Sequence, residues 1–241
     1  AVSLSSKSAV SAGIVSFLPV DFTLNNYAYL LEKKEFFVAF GISVARVFVG
    51  TGINLLVTVL AAYPLAFARR TLKGRKFYVF LVLLCMFFSG GTVPTYIMIS
   101  RIGLIDNFLV LVLPGALSPW NLILFVNFFR NVPTEMLEAA QIDGCNWLQE
   151  LWRIIVPTIW PTVGTIIILS TAGCLGSTGP VLLFTKGDWG TMTLSYYIYA
   201  LVSGIGGMQD LYLASAVGFL MTIVSFPLAL VVKKVVYRKE V

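Results

Sequence analysis

An all-helical bundle that spans a membrane is the fold this chain predicts, on three observations. Its 241 residues are 58% hydrophobic and only 12% charged, with a mean hydropathy of +0.90, too few charges to cover a water-soluble domain. The apolar residues fall in stretches that reach the roughly 20 residues needed to cross hydrocarbon. Lys and Arg gather in short segments between those stretches, as they do in the loops of polytopic membrane proteins.

Residues 1–35 are expected outside the membrane. The first 19 are Ser-rich, apolar only towards their end, and lack the basic start of a signal peptide. Leu18 to Tyr27 is rich in turn formers and leads into a short amphipathic stretch at Tyr29 to Phe37, read as a loop on the outer leaflet. Five spans follow, at Phe36–Phe67, Phe77–Ile99, Phe108–Phe129, Thr158–Leu183 and Leu211–Val232. The first is longer than a bilayer requires, so it is tilted or projects beyond it. Arg69, Arg70, Lys73, Arg75 and Lys76 crowd one loop, and Lys233, Lys234, Arg238 and Lys239 crowd the end of the chain, which sets both on the cytoplasmic side. A chain that starts outside and alternates through five spans implies a sixth span before residue 1. The expected organisation is an extracytoplasmic segment 1–35, a transmembrane domain 36–233 containing a cytoplasmic loop 131–157, and a cytoplasmic tail 234–241.

Breaks within the spans are informative. Pro64 removes a helix hydrogen bond near the end of the first. Gly41, Ala45, Gly50, Gly52, Ala61 and Ala62 allow close helix approach in lipid. Ser89 to Pro94, Pro114-Gly115 and Ser118 to Asn121 interrupt the next two spans and free backbone groups. At membrane depth these must be satisfied by protein or by a wet cavity. Two readings stay open there: a polar pathway, or kinks absorbed by neighbouring side chains. Gly173, Gly176, Gly179 and Pro180 weaken the end of the fourth span, where Ser177 and Thr178 face a pore or a frayed helix end. Trp120, Asn121, Asn127 and Ser177 are the candidates for lining a path; interhelical hydrogen bonding is the alternative for each.

Several kinds of chemistry are excluded. The chain has no His, and no Asp or Glu falls in the five spans, so a catalytic triad cannot be assembled and a proton- or sodium-coupled carrier is disfavoured. Arg46 is the one charge well inside a span; it pairs with backbone or polar groups, snorkels outward, or contacts a substrate. No phosphate-binding loop motif occurs, so the chain is not expected to be an enzyme or to bind a cofactor. Cys85, Cys145 and Cys174 suggest neither a disulfide framework nor a metal site. The net charge of +6 reads as membrane topology rather than nucleic-acid binding.

The loop at 131–157 carries the clearest local pattern. Asn131 or Thr134 can cap a first helix with Pro133 in its opening turn, Met136, Leu137 and Ala140 form its apolar side, and Gly144 ends it. Asn146 with Gln149 forms a capping box for a second helix, on which Trp147, Leu148, Leu151, Trp152 and Ile155 fall at helical spacing. Glu138-Ala139-Ala140, Asp143-Gly144 and Ile154-Ile155-Val156-Pro157 together resemble the cytoplasmic "EAA" loop of permease subunits in binding-protein-dependent ABC importers. Phe88 to Tyr96, Gly103 to Asn107 and Phe128 to Pro133 are similar to the carbohydrate-uptake branch of that family, in particular its maltose-type and complex-oligosaccharide permeases; Ser5 and Pro19 to Tyr27 also fit its external segment. Val156 stands where leucine is common, and 173–189 departs from the Trp-Asn pattern of many maltose-type partners, so no sugar-contacting residue is carried over.

The resemblance implies a type I ABC importer permease in a bacterial cell membrane. It also implies a second permease subunit in a heterodimer, two cytoplasmic ATP-binding subunits that hold ATP and Mg, and an extracytoplasmic solute-binding protein. Glu138, Ala139, Ala140, Asp143 and Gly144 would dock on the ATPase. The expected cargo is a sugar, an oligosaccharide in particular; rival readings are a permease for a peptide, amino acid or polyamine, and a non-conducting membrane scaffold.

Overall fold

The computed structural model describes the backbone of residues 1–67, 74–88, 90–176, 179–205 and 210–237, and side chains over the same range except 170–175, 179 and 235–237. Arg69, Arg70, Lys73, Ser89, Ser177, Thr178, Arg238 and Lys239 therefore lie outside the described residues. Among those described, the chain is helical with no strand. Two helices, Lys34–Ala66 and Leu211–Lys234, are each long and apolar enough to cross a membrane; counting bent helix pairs as single spans raises the number to 5.

The differences from the expected spans trace to their breaks. Phe77–Ile99 divides into the helices Arg75–Phe87 and Thr92–Ile102, on either side of Gly91, whose φ of +80° is left-handed and ends helical geometry. Phe108–Phe129 starts as two 3-10 turns, Phe108–Leu111 and Leu113–Gly115, and becomes a helix only at Pro119–Arg130, bent by 51° from them. Ser118 caps that helix, accepting from the Asn121 N–H at 3.5 Å, with Pro119 in its first turn. The fourth span is the helix Trp160–Gly176, followed by a short helix Gly179–Phe184. Pro64 sits inside Lys34–Ala66, which stops two residues later.

The described chain forms two compact units. The first contains Ala1–Phe48, Ile99–Leu111 and Thr171–Leu230. Its core joins Leu30, Phe36 and Ala39 to Leu194, Tyr197 and Leu201, and to Leu213, Ala216 and Val217. The N-terminal segment holds a helix at Asn25–Glu32, within the stretch expected as a loop. It also contains a helix at Lys7–Ser11, capped by Ser6, and Asn26 ties it down by donating to the carbonyls of Ser3 at 3.2 Å and Ser5 at 3.0 Å. Ser43 Oγ accepts from the Leu194 N–H at 2.7 Å and so satisfies one of the orphan donors at the start of Leu194–Ser203. Burial, with the negative charges of Glu35 and Asp210 behind it, pushes the Tyr197 phenol up from its usual value.

In the same unit Arg46 is only 5% exposed, and its Nε donates to the Leu111 carbonyl at 3.3 Å. Of the roles open to it, it takes backbone pairing and does not snorkel. The 3-10 turn it contacts has carbonyls without helical partners, which is what makes a buried guanidinium tolerable there.

The second unit contains Val49–Met98, Val112–Ser170 and Val231–Val241. Its core is built from Val59, Ala62, Tyr63 and Leu65, from Leu122, Phe125 and Phe129, and from Leu137, Leu151, Ile155 and Ile159. Phe129 stacks on Phe67 at 6.4 Å and meets Phe125 edge-on at 6.0 Å. The 131–157 segment thus belongs to this core and is anchored by it.

Candidate functional site

The candidate site is the polar helical hairpin at 131–157. Its first helix runs Thr134–Ile142, with Pro133 at the N-cap position and no side chain capping it, so neither Asn131 nor Thr134 supplies the expected cap. The C-terminus is closed by backbone alone. Gly144 takes φ +76°, its N–H donates to the Gln141 carbonyl at 3.0 Å, and the Cys145 N–H donates to the Ala140 carbonyl at 2.9 Å. This pair of bonds with a left-handed glycine is a Schellman termination. Gly144 therefore does what its position in the sequence predicts.

The second helix starts at Trp147, and Gln149 Oε1 accepts from the Asn146 N–H at 2.9 Å, the reach-back half of a capping box. Residues Leu151–Ile155 then form one wide π turn before Val156–Thr158, and the chain bends by 76° into Trp160–Leu169. A π turn shifts the helical register by about one residue. Leu151 and Ile155 at its two ends are fully buried, while Trp152 stays half exposed.

Burial sorts the hairpin into two faces. Leu137 and Ala140 are each 5% exposed, and Leu137, Leu151 and Ile155 look into the unit's own core. Glu138, Ala139, Asp143 and Gly144 are exposed, and Ile142 is 87% exposed. Met136, grouped with the apolar side by sequence, faces outward, as do Trp147, Leu148 and Trp152 in part. Trp147 still rests one side of its ring near Tyr63, at 6.0 Å between centroids. The outward face is thus a carboxylate pair, Glu138 and Asp143, beside Ile142, Met136 and half-exposed tryptophans. Ile142 is the residue the sequence reading missed: it breaks the apolar periodicity, pointing away from Leu137 and Ala140, and that mismatch was the available signal.

The path candidates lie elsewhere. Trp120, Asn121 and Asn127 all sit on the Pro119–Arg130 helix, Trp120 and Asn127 opposite its buried Leu122, Phe125, Val126 and Phe129 and Asn121 at the edge of that buried face, four residues before Phe125. Trp120 and Asn127 are seven residues apart and share a face. Trp120 is 58% exposed, Asn127 is exposed, and Asn121 is half-buried. Asn127 and Arg130 also border a cavity of about 80 Å³ with Leu65, Val79 and Val82. Ser177 lies outside the described residues.

Sequence reasoning also passed over a polar line on the Lys34–Ala66 helix. Thr51, Asn54 and Thr58 are buried, and Thr51 Oγ1, Asn54 Oδ1 and Thr58 Oγ1 have no hydrogen-bond partner. The Asn54 amide nitrogen donates to the carbonyls of Gly115 and Ala116, at 3.0 and 3.2 Å. At this break, protein side chains take up the freed backbone, the second of the two readings the sequence left open. Among the described residues no cluster of His, Cys, Asp and Glu is placed to hold a metal ion.

Comparison with known proteins places this geometry. Residues 37–239 match the family described as binding-protein-dependent transport system inner membrane component. The chain is 40% identical over 155 residues to protein LplC of Bacillus subtilis strain 168, covering 64% of this chain and 52% of LplC. It is 33% identical over 192 residues to the polygalacturonan/rhamnogalacturonan transport system permease protein YtcP of the same organism, covering 79% of this chain and 66% of YtcP. The chain thus spans about half of one relative's length and just under two thirds of the other's. Among solved structures, a bacterial ABC transporter involved in the import of the acidic polysaccharide alginate superposes with a TM-score of 0.80 at 26% identity, over 98% of this chain and 86% of that one. The chain belongs to the family of binding-protein-dependent transport system inner membrane components, with the all-helical fold of an ABC importer permease.

Proposed function

We propose that this chain is a permease subunit of an ATP-driven, binding-protein-dependent importer of oligosaccharides, and that it forms half of the translocation pathway. The supporting observation is the two-faced hairpin. A coupling element must be stiff on its own side and accessible on the other, and here Leu137, Ala140, Leu151 and Ile155 are buried while Glu138, Ala139, Ile142, Asp143 and Gly144 are presented outward. An ATP-binding partner gripping that face can move the hairpin as a rigid lever, and the Trp160–Gly176 helix carries the motion onward.

The remaining assignments follow from this reading. Residues 1–35 lie outside the cell membrane, 36–233 form the transmembrane domain, and 131–157 and 234–241 are cytoplasmic, as the Lys and Arg distribution indicates. The partners are a second permease subunit, two ATP-binding subunits carrying ATP and Mg, and an extracytoplasmic solute-binding protein. The name of YtcP speaks of polygalacturonan/rhamnogalacturonan transport and that of the solved structure of alginate import, which favours a sugar over a peptide or polyamine, while other relatives are named for sn-glycerol-3-phosphate transport. Trp120, Asn121, Asn127 and Ser177 are the pathway candidates within it.

Reconstitution of the assembled complex in proteoliposomes tests the reading. Glu138→Arg and Ile142→Asp should abolish ATP-driven oligosaccharide uptake and loosen the ATP-binding subunits without lowering the melting temperature, because both side chains are exposed. Uptake at the unmodified rate in both variants would refute the coupling role.

A further inference from the structure

The Arg75–Phe87 helix buries none of its residues, although it is almost wholly apolar beyond its first two positions. At its N-terminal end lies a cavity of about 880 Å³, lined by Gly74, Arg75, Lys76, Phe77, Val79, Phe80 and Leu83, and by Arg130 from the neighbouring Pro119–Arg130 helix. Three cationic side chains thus meet at one end, and no Asp or Glu is among the lining residues.

Below them the wall changes character along a single stripe. Phe80 lies four residues and Leu83 seven residues after Lys76, so both sit under it on one helix face, and Val79 sits likewise under Arg75. Phe77, Phe80 and Leu83 are exposed. The N-terminus of the helix adds the positive end of its dipole, which favours an anion.

A small polar anion would use the cations and leave the apolar stripe uncovered. A neutral apolar molecule would use the stripe and leave three positive charges unmatched. An amphiphile with a negative head satisfies both, and in a membrane protein the abundant molecule of that description is lipid. Basic pockets between transmembrane helices recognise such headgroups through charge. We propose that this cavity is a binding site for an anionic phospholipid, its phosphate held by Arg75, Lys76 and Arg130 and an acyl chain laid along Phe77, Phe80 and Leu83. The proposal needs the chain to be in a membrane but not the cargo or the coupling reading. Lipid retention is measured without transport, so failure here leaves the permease reading standing.

The test uses the full chain with the subunits that copurify, in nanodiscs of phosphatidylcholine with a graded fraction of phosphatidylglycerol, read by native mass spectrometry. Phosphatidylglycerol should be retained selectively, and each of Arg75→Gln, Lys76→Gln and Arg130→Gln should weaken retention about fivefold, the worth of one cation at a membrane surface. Charge-preserving changes, Arg75→Lys and Arg130→Lys, should retain it and so control for folding. Phe80→Asn should weaken the lipid while sparing a water-soluble glycerophosphate. Equal retention of the two lipids, or unchanged retention in all three neutralised variants, would overturn the site. So would displacement of the lipid by millimolar inorganic phosphate alone, or cross-linking of Arg75→Cys to a partner protein in place of lipid.

Discussion

Asn54 and Gly115 stand 61 residues apart in the chain, yet the Asn54 side-chain amide donates to the Gly115 carbonyl at 3.0 Å and to the next carbonyl, Ala116, at 3.2 Å. One buried side chain thereby satisfies the backbone exposed by the Pro114–Gly115 break. Asn54→Leu keeps the volume but removes both bonds. A buried acceptor left without a donor costs about 1–3 kcal/mol, so this variant should melt several degrees lower in detergent. Asn54→Asp should be worse, since it loses the donor and places an acid beside two carbonyls. Thermal unfolding curves that overlay the parent's would mean another donor takes over.

Gly187 and Gly190 look alike in sequence, yet substitutions there should behave differently. Both have left-handed backbones, with φ of +82° and +68°. A Cβ on Gly190 meets nothing within 4 Å, whereas one on Gly187 comes within 2.5 Å of Tyr196 Cε1 and 2.9 Å of Cδ1. Gly190→Ala carries only the left-handed penalty, about 1–2 kcal/mol. Gly187→Ala adds an overpacking term of about 1–3 kcal/mol, because the buried Tyr196 ring and its neighbours must move. Limited proteolysis of the 185–193 segment should separate the two, with Gly187→Ala cut faster; equal rates would sink the steric account.

Which features could be read from the sequence follows from how local their causes are. Gly144 and the Asn146–Gln149 pair act within a few residues of themselves, so the hairpin's stop and restart were legible. The breaks at Gly91 and at Pro114-Gly115 were legible as breaks, since those residues carry their own backbone preferences. The partner of the Pro114-Gly115 break was not, nor that of the Leu111 carbonyl, because Asn54 and Arg46 come from a distant helix and nothing in their own neighbourhood marks the contact. Ser43, which caps a helix 151 residues away, was invisible for the same reason. The π turn at Leu151–Ile155 was also missed, because the four-residue spacing of Leu151 and Ile155 fits an ordinary helix as well.

That turn makes a further contrast testable. Leu151 and Ile155 have no exposed surface, while the larger Trp152 between them is half exposed. Leu151→Ala and Ile155→Ala should each destabilise by about 2–5 kcal/mol, through lost burial and a cavity that the packed core cannot fully close. Trp152→Ala should cost far less stability, despite removing more atoms. If the proposed docking face is right, it should instead weaken association with the ATP-binding subunits. Melting temperature and subunit co-purification, measured on the same three variants, should therefore rank them in opposite orders.

Gly144 allows the conformational requirement of the hairpin to be separated from its space requirement. No atom lies within 4 Å of where its Cβ would be, so a side chain fits and only the φ of +76° resists it. Asn tolerates left-handed backbone through local hydrogen bonding, and Gly144→Asn should be close to neutral. Gly144→Ala should lose about 1–2 kcal/mol locally, and Gly144→Val more, because a β-branched residue is a true outlier there. Gly144→Pro is incompatible on two counts: its φ is fixed near −65°, and it lacks the N–H that donates to Gln141. If the Thr134–Ile142 helix must be held at a fixed angle to transmit force, uptake driven by ATP should fall in the order Gly and Asn, then Ala, then Val, then Pro. ATP hydrolysis without uptake should rise in the weaker variants as coupling slips. An Ala or Val variant that transports as well as Gly would show that the hairpin's function does not depend on this turn.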